Sequence, residues 1–250
     1  MDTSKTKNSK RKTQSLKLKA KNFKRKTQSL KGKKVLITAG PTWAAIDDVR
    51  VISNTATGET GRLLAEKLTT KGAKVALLIN AENRCWLNKK IKILTFRFFD
   101  QLKKHIVKEV SSGRYDIFIH SAAVSDYRPA KSVKGKINSG KFKLRLDLVP
   151  TPKIINRIKK IDSSLFLVGF KYEPGNDKKT LIQKAKKLMS KSNADIIVAN
   201  TSGKKGYQAY IINRDKIFCG PVYNKSVMIN SLIQAINRSF GLKKTLQKSN

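Results

Sequence analysis

Residues 35–61 read VLITAGPTWAAIDDVRVISNTATGETG, and this stretch decides the fold that the sequence predicts. Its opening run is apolar and β-branched and stops at a Gly-Pro pair, a pattern typical of a buried strand followed by a tight turn. Apolar residues then recur at helical spacing after Gly58, which predicts that a helix begins there. A strand, a loop and a helix in this order indicate the first unit of an α/β fold.

The predicted helix start is rich in glycine, with Gly58 and Gly61 three residues apart. Backbone N–H groups at a helix N-terminus have no partner within the helix, and the helix dipole makes this end positive. Such an end favours the binding of a phosphate or carboxylate. Gly-x-x-Gly is a weak signal by itself because it occurs by chance in many chains, so the hypothesis depends on the neighbouring residues.

Those neighbouring residues match a known family. The stretches ITAGPT (37–42), IDDVR (46–50) and NTATG (54–58) resemble the phosphopantothenate–cysteine ligases, or phosphopantothenoylcysteine synthetases, of coenzyme A synthesis. The family usually writes the last turn Asn-x-Ser-Ser-Gly, and this chain has lost one hydroxyl at Ala56. The resemblance covers about residues 34–240 and implies the stand-alone ligase, without the flavin-dependent decarboxylase half that bifunctional relatives carry.

The resemblance implies roles for the opening stretch. The helix N-terminus suits the phosphate of the substrate or the adjacent acyl phosphate. Asn54 is implied as a catalytic residue, a neutral donor to the carbonyl oxygen that gains charge when an amine adds. The residues implied to bind substrate and phosphate are Gly40, Thr42, Thr57, Gly58 and Gly61.

Composition indicates one domain between two tails. The 250 residues, 39% of them hydrophobic, suffice for one sizeable core. No run approaches the roughly 18 apolar residues needed to cross a bilayer, so we expect a cytoplasmic protein without membrane contact. We predict a disordered basic N-terminal arm over residues 1–33, a synthetase-like domain over residues 34–240 and a C-terminal tail over residues 241–250.

The net charge of +39 favours polyanionic partners, although it also fits a lysine-rich proteome. We do not expect the basic arm to bind nucleic acid. Only two cysteines and two histidines occur, so the composition predicts neither a disulfide framework nor a zinc cluster.

Continuous apolar strands alternate with amphipathic helices beyond residue 61. This alternation predicts an α/β fold, a Rossmann-like three-layer sandwich with a mostly parallel central sheet. An antiparallel hairpin is predicted over residues 207–222. Residues 142–148 alternate apolar and charged side chains and predict a half-exposed strand. Relatives pair such an arm across a two-fold interface, so the resemblance implies a homodimer.

The fourth predicted strand ends in SAAVSDYRP, residues 121–129. Small residues at the carboxyl end of a strand let a base or ribose approach the backbone, and Asp126 could accept hydrogen bonds from the ligand. An alternative is that Asp126 only caps the following loop. In the family the segment with this motif binds the nucleotide, so the resemblance implies nucleotide contacts by Ala122, Ala123 and Asp126.

The resemblance adds four residues to the nucleotide site. It implies Lys136, ten residues after Asp126, as a mobile catalytic lysine that closes over the triphosphate. It also implies Phe170 beside the nucleotide and two phosphate-binding lysines four residues apart on one helix. Lys187 and Lys191 have that spacing, if one residue is inserted near Asn193.

The function implied is ligation of 4′-phosphopantothenate to L-cysteine through an acyl-nucleotide. The nucleoside triphosphate is expected to be CTP rather than ATP, with Mg²⁺ and without flavin; the metal ligands are unknown, and a separate decarboxylase is a candidate partner. Two rivals stay open. An NAD(P)-dependent oxidoreductase shares the opening unit, but Gly-x-Gly-x-x-Gly is missing from it. A basic nucleic-acid-binding protein on an inactive ligase fold would bind DNA in a salt-dependent manner.

Overall fold

The computed structural model describes residues 30–83, 87–140, 143–175, 177–204, 206–214 and 216–246. Residues 30–233 form one compact unit. The described strands are β1 (Lys34–Ala39), β2 (Trp43–Ala45), β3 (Val51–Ser53), β4 (Lys74–Asn80), β5 (Lys92–Phe96), β6 (Ile117–His120), β7 (Tyr127–Pro129), β8 (Leu148–Pro150), β9 (Phe166–Tyr172), β10 (Ile196–Gly203), β11 (Gly206–Asn213) and β12 (Ile217–Val222). The described helices are α1 (Glu59–Thr70), α2 (Phe99–Ser111), α3 (Ile155–Ile161), α4 (Lys178–Ser192) and α5 (Lys225–Leu246).

Eight strands form the central sheet, in the order β12-β11-β10-β9-β6-β1-β4-β5. The six strands from β10 to β5 are parallel, and β11 and β12 continue the sheet antiparallel at one edge. Numbered by themselves, the parallel strands follow the order 3-2-1-4-5-6 of a doubly wound fold. The order reverses between β1 and β6, so the crevice expected to bind ligands lies at the carboxyl ends of these two strands.

The sheet is buried on both faces, which explains the continuous apolar strands. Side chains on one face, such as Leu36 and Phe118, join a core with α2, α3 and α4. Ile37 and Ile119 are also fully buried but lie outside that cluster, because successive side chains of a strand point to opposite faces. Helix α1 contacts β1 and β4. The predicted Rossmann-like architecture with a mostly parallel sheet is confirmed.

Some local predictions need correction. The loop predicted between β1 and α1 contains an antiparallel hairpin, β2–β3, whose strands are too short for a periodicity signal. Residues 143–147 form no strand, and the exposed arm instead pairs β8 with β7 over three residues. The first residue of that predicted strand, Phe142, lies outside the described residues.

The chain ends also differ from their predicted bounds. Leu30, assigned to the basic arm, is 2% exposed, and the N–H of Gly32 donates to the carbonyl of Gly72 at 2.8 Å. The rest of the predicted arm, residues 1–29, lies outside the described residues. Helix α5 continues to Leu246, into the predicted tail. No helix in the described part of the chain is long and apolar enough to span a membrane.

Candidate active site

The ends of β1 and β6 are joined by hydrogen bonds beyond the sheet itself. The N–H of Ala123 donates to the carbonyl of Gly40 at 3.0 Å, and the N–H of Thr42 donates to the carbonyl of Ala123 at 3.3 Å. The hydroxyl of Thr42 accepts from the N–H of Ser125 at 2.9 Å, and Thr42 is fully buried. Two segments 83 residues apart in sequence therefore form one rigid edge above the switch point.

Helix α1 begins against this edge, and two glycines allow the approach. Gly58 precedes the helix in the left-handed conformation, with a φ of 73°. A Cβ at Gly58 would lie 3.0 Å from the backbone nitrogen of Gly40. A Cβ at Gly61 would lie 2.5 Å from the Cβ of Ala39, too close for any side chain. The positive end of α1 therefore sits directly beside the switch point, as its predicted anion-binding role requires.

Asn54 links the turn before α1 to the predicted nucleotide loop. It follows β3, is exposed, and its side-chain amide donates to the carbonyl of Ala123 at 3.0 Å. Thr57, on the same turn, is exposed and its hydroxyl accepts from the N–H of Glu59 at 3.4 Å. The structure thus brings Asn54, Thr57, Gly58 and Ala123 together at one edge of the sheet.

An acidic side chain also lies at this helix start, which the sequence reasoning missed. Glu59 is the first residue of α1, and its carboxylate would repel an anionic ligand at the helix N-terminus. The carboxylate is paired with the ammonium group of Lys225 at the start of α5. The pair leaves little net charge beside the helix N-terminus. Both side chains are more than 40% exposed, so water and salt weaken their attraction.

Asp126 follows β6, and Phe170 lies near the carboxyl end of the neighbouring strand β9. The carboxylate of Asp126 is exposed and paired with Lys153, so a ligand would compete with that lysine. Phe170 is half-buried near the carboxyl end of β9, and Ala122 and Ala123 are half-buried after β6. Because β6 and β9 are neighbours, these residues lie on adjacent strand ends.

Lys136 lies in an exposed loop that is held on both sides. Its own side chain is exposed. Its neighbours Gly135 and Ile137 donate their N–H groups to the carboxylates of Asp48 and Asp47, at 2.7 and 3.1 Å. The backbone on both sides of Lys136 is therefore held by the β2–β3 hairpin, and closure of the lysine side chain over a triphosphate stays a prediction.

Lys187 and Lys191 are not brought to the crevice. Helix α4 starts after the carboxyl end of β9 and ends before the amino end of β10, so it runs toward the opposite edge of the sheet. At 1.5 Å per residue, Lys187 lies about 14 Å and Lys191 about 20 Å along the helix from its first residue. Helical spacing placed both lysines on one face but did not say which end of the sheet they reach.

A different lysine of α4 lies nearer the crevice. The ammonium group of Lys184 is 2.5 Å from the carboxylate of Glu173, which follows β9 directly. Lys171 contacts the other oxygen of Glu173 at 2.6 Å. These hydrogen bonds lower the pKa of Glu173, so it is ionised and holds both cations near the strand end.

Comparison with known proteins identifies the family. The profile of the DNA/pantothenate metabolism flavoprotein C-terminal domain matches residues 30–237. The chain belongs to this family.

Relatives of the DNA/pantothenate metabolism flavoprotein family confirm the resemblance inferred from the sequence. The chain is 36% identical over 188 residues to the coenzyme A biosynthesis bifunctional protein CoaBC of Thermococcus kodakarensis, covering 74% of this chain and 46% of the relative. It is 33% identical over 212 residues to the CoaBC protein of Borreliella burgdorferi, covering 82% and 52%. The chain thus spans about half the length of these curated relatives.

A solved structure of the family has the same fold. The DNA/pantothenate metabolism flavoprotein from Streptococcus pneumoniae superimposes with a TM-score of 0.73 at 27% identity. The match covers 82% of this chain and 98% of that one. The architecture around the switch point is therefore that of the family domain.

A buried histidine, His120, lies at the end of β6, next to the crevice. The ring of His120 ends β6, with its Nδ1 2.9 Å from the hydroxyl oxygen of Thr38. Burial lowers the pKa of His120 to about 4, so the ring is neutral at physiological pH. The hydroxyl oxygen of Thr38 accepts a hydrogen bond from the N–H of Ala122 at 3.3 Å, so Thr38 and His120 support the strand end beside the predicted nucleotide site.

His120 predicts a loss of stability in mild acid. The unfolded chain binds a proton below its ordinary pKa of 6.5, whereas the folded chain does so only below about 4, so protonation favours unfolding between these values. Lowering the pH from 7 to 4 should cost about 3 kcal/mol of unfolding free energy through this group. Urea denaturation at several pH values checks this, and His120→Gln should flatten the dependence. A variant with an unchanged slope between pH 6.5 and 4.5 would contradict the assignment.

Among the residues that the structure describes, no three His, Cys, Asp or Glu side chains lie close enough together to hold a metal ion.

Proposed function

We propose that this chain joins 4′-phosphopantothenate to L-cysteine through an acyl-nucleotide intermediate, as a step of coenzyme A synthesis. One observation carries the proposal: the amide of Asn54, beside the α1 N-terminus, reaches the carbonyl of Ala123 in the predicted nucleotide loop at 3.0 Å. In this proposal the anion site at the α1 N-terminus and the nucleotide site after β6 share one edge of the sheet, and the bond from Asn54 to Ala123 supports it. A reaction between a phosphorylated acid and a nucleoside triphosphate needs such an arrangement.

The first half-reaction activates the carboxylate. A carboxylate oxygen attacks the α-phosphorus of the triphosphate, forming the acyl-nucleotide and releasing pyrophosphate. In the proposed arrangement the N-terminus of α1, opened by Gly58 and Gly61, binds the substrate phosphate. Asp126 and Phe170 hold the nucleotide, and Lys136 neutralises charge that develops on the triphosphate.

The second half-reaction forms the amide. The cysteine amine adds to the acyl carbon, the carbonyl oxygen gains negative charge, and the nucleoside monophosphate leaves. Asn54 is proposed to donate a hydrogen bond to that oxygen with the amide hydrogen not used by Ala123. A neutral donor suits this position, because a charged carboxylate there would repel the adjacent phosphate.

We propose that helix α4 contacts the triphosphate through a lysine other than the two that its spacing predicted. Lys184, rather than Lys187 and Lys191, lies at the strand end with Glu173. Mg²⁺ is proposed to arrive with the nucleotide, since triphosphate oxygens and water supply most of the ligands of Mg²⁺ in such sites. We propose CTP in preference to ATP as the nucleotide, and no flavin.

A homodimer is also proposed. Tyr127, Leu144 and Leu148 expose 56%, 48% and 45% of their surface, although they are large and apolar. They lie on the arm that carries β7 and β8, which the family resemblance assigns to a two-fold interface. Exposed apolar side chains of this kind are typical of protein contacts.

Pyrophosphate release tests the proposed function. The purified protein with Mg²⁺ should release pyrophosphate only when nucleotide and phosphopantothenate are both present, faster with CTP than with ATP. Without cysteine, release should stop at about one equivalent per site because the acyl-nucleotide stays bound. Nucleotide hydrolysis that ignores phosphopantothenate, or release of orthophosphate instead, would contradict the proposal.

The Glu59–Lys225 pair predicts a selective effect on substrate binding. Lys225→Gln leaves the Glu59 carboxylate uncompensated beside the proposed phosphate site, and we expect the KM for phosphopantothenate to rise roughly fivefold, about 1 kcal/mol. The double variant Glu59→Gln/Lys225→Gln should restore the KM. Steady-state kinetics with varied phosphopantothenate measure this. An elevated KM in the double variant would show that Lys225 acts in some other way.

A further inference from the structure

The loop of Lys136 is fastened to the β2–β3 hairpin by a buried carboxylate. Asp47 lies at the hairpin tip, and its side chain is fully buried. One oxygen, Oδ1, accepts from the N–H groups of Val49 and Arg50, at 2.9 and 2.7 Å. These two bonds close the turn of the hairpin and fix the orientation of the carboxylate.

The other oxygen of Asp47 reaches across to the loop. Oδ2 accepts from the N–H of Ile137 at 3.1 Å and from the guanidinium of Arg50 at 2.5 Å. The same guanidinium donates to the carbonyl of Ile137 at 3.2 Å. Both backbone groups of the residue after Lys136 are therefore held by one ion pair, 87 to 90 residues away in sequence.

Asp48 holds the residue before Lys136 in a similar way. Its carboxylate accepts from the N–H of Gly135 at 2.7 Å, and its own N–H donates to the carbonyl of Gly135 at 3.2 Å. Lys136 thus lies between two fixed peptide groups with its side chain exposed. A charged carboxylate without exposure is retained only where its donors are well placed, and Asp47 has four.

The electrostatics of Asp47 agree with this geometry. Burial by itself would raise the pKa of the carboxyl, but the hydrogen bonds from Ile137, Val49 and Arg50 lower it to about 2. Asp47 is therefore ionised at any physiological pH, and the fastening does not depend on proton uptake.

We propose that Asp47 is the positioning residue for Lys136, which it holds at the tip of the β2–β3 hairpin by fixing Ile137 and Arg50. The hairpin that carries Asp47 continues through β3 into Asn54, so one element positions both residues proposed to act on the reacting groups. The kinetic part of this inference rests on the proposed function. The structural part, that Asp47 fixes the loop, does not.

Asp47→Asn tests the inference with a side chain of the same shape. The amide cannot accept from all four donors, because one of its ends carries hydrogens. We expect formation of the acyl-nucleotide in single turnovers to slow roughly ten- to hundredfold, since a misplaced catalytic group costs about this much. The matched control is Asp162→Asn, which closes a comparable turn before β9 with bonds to Ser164 and Leu165 at 2.9 and 3.3 Å. This control should keep the rate.

A double-variant cycle separates positioning from general damage. If Asp47 acts through Lys136, then Asp47→Asn/Lys136→Gln should be within about threefold of Lys136→Gln alone. A merely structural role would multiply the two losses and would overturn the proposal. If Asp47→Asn does not fold, the exposed Asp48, which accepts from the N–H of Gly135, is replaced instead. The same comparison is then made between Asp48→Ala/Lys136→Gln and Lys136→Gln alone.

Amide hydrogen exchange provides a readout that needs no activity. In Asp47→Asn, exchange at Ile137 should speed up at least about tenfold, while the amides of β1 stay protected. Unchanged exchange at Ile137 would overturn the inference whatever the kinetics. If the wild-type protein forms no acyl-nucleotide, the proposed function fails, and the exchange measurement alone decides whether Asp47 holds the loop.

Discussion

Lys136→Gln is expected to slow acyl-nucleotide formation roughly a hundredfold, about 2.7 kcal/mol of transition-state stabilisation. The side chain is exposed on a loop whose peptide groups on both sides are held, and we propose that its ammonium group contacts the bound triphosphate. Lysine supplies a compact point charge on a flexible stem, and glutamine keeps the length of that stem but not the charge. Single-turnover rates of pyrophosphate release measure the effect.

Lys134→Gln is the control for this prediction. Lys134 is exposed on the same loop, two residues away, but it does not lie between Gly135 and Ile137, the two residues that donate to the carboxylates. A loop that only adds positive charge to the crevice would lose similar activity from either change. Equal losses of the single-turnover rate in the two variants, or no loss in either, would show that Lys136 is an ordinary surface lysine without a catalytic role.

Asn54→Asp should separate the two half-reactions. We expect the acyl-nucleotide still to form, while its transfer to cysteine slows roughly a hundredfold, which corresponds to about 2.7 kcal/mol of transition-state stabilisation. The reason is that Asn54 is proposed to stabilise a charge that develops only when the amine adds. In addition, a carboxylate would face the carbonyl oxygen of Ala123, which now accepts a hydrogen bond from the amide at 3.0 Å.

Asn54→Ala distinguishes the effect of losing the amide donor from the effect of the negative charge that Asn54→Asp adds. It should slow transfer to a similar extent without repelling the substrate phosphate, so only the Asp variant should also raise the KM for phosphopantothenate. Chasing preformed acyl-nucleotide with cysteine measures transfer directly. A variant that cannot form the intermediate yet passes preformed intermediate on normally would reverse the assigned role.

The sheet could be predicted from sequence because its strands are buried on both faces. Runs such as Val35 to Ile37 are apolar throughout, and the helices between the strands follow amphipathic spacing. The strand order could not be read in the same way. The crevice between β1 and β6 depends on pairing between segments about 80 residues apart, which local pattern does not encode. The family resemblance, rather than periodicity, brought Gly58 and Ala123 to one site.

The misplaced residues show the limits of pattern reasoning. Spacing placed Lys187 and Lys191 on one face of α4, but the direction of α4 relative to β9 decides which end reaches the crevice. Asp47 was visible as an acid beside an arginine. Its bond to Ile137 joins residues 90 positions apart, and no local signal could have found it. Apolar and charged residues alternate from Phe142 to Leu148, as in a half-exposed strand. Most of this segment has no partner strand in the described part of the chain, and only Leu148 lies in a strand, as the first residue of β8.

The most direct test of the proposed reaction follows an oxygen atom. Phosphopantothenate labelled with ¹⁸O in its carboxylate is incubated with the protein, Mg²⁺, CTP and cysteine, and the nucleotide product is analysed by mass spectrometry. Attack of the carboxylate on the α-phosphorus predicts one ¹⁸O in the cytidine monophosphate and none in pyrophosphate. Label in orthophosphate, or amide formation with unlabelled monophosphate, would contradict an acyl-nucleotide intermediate.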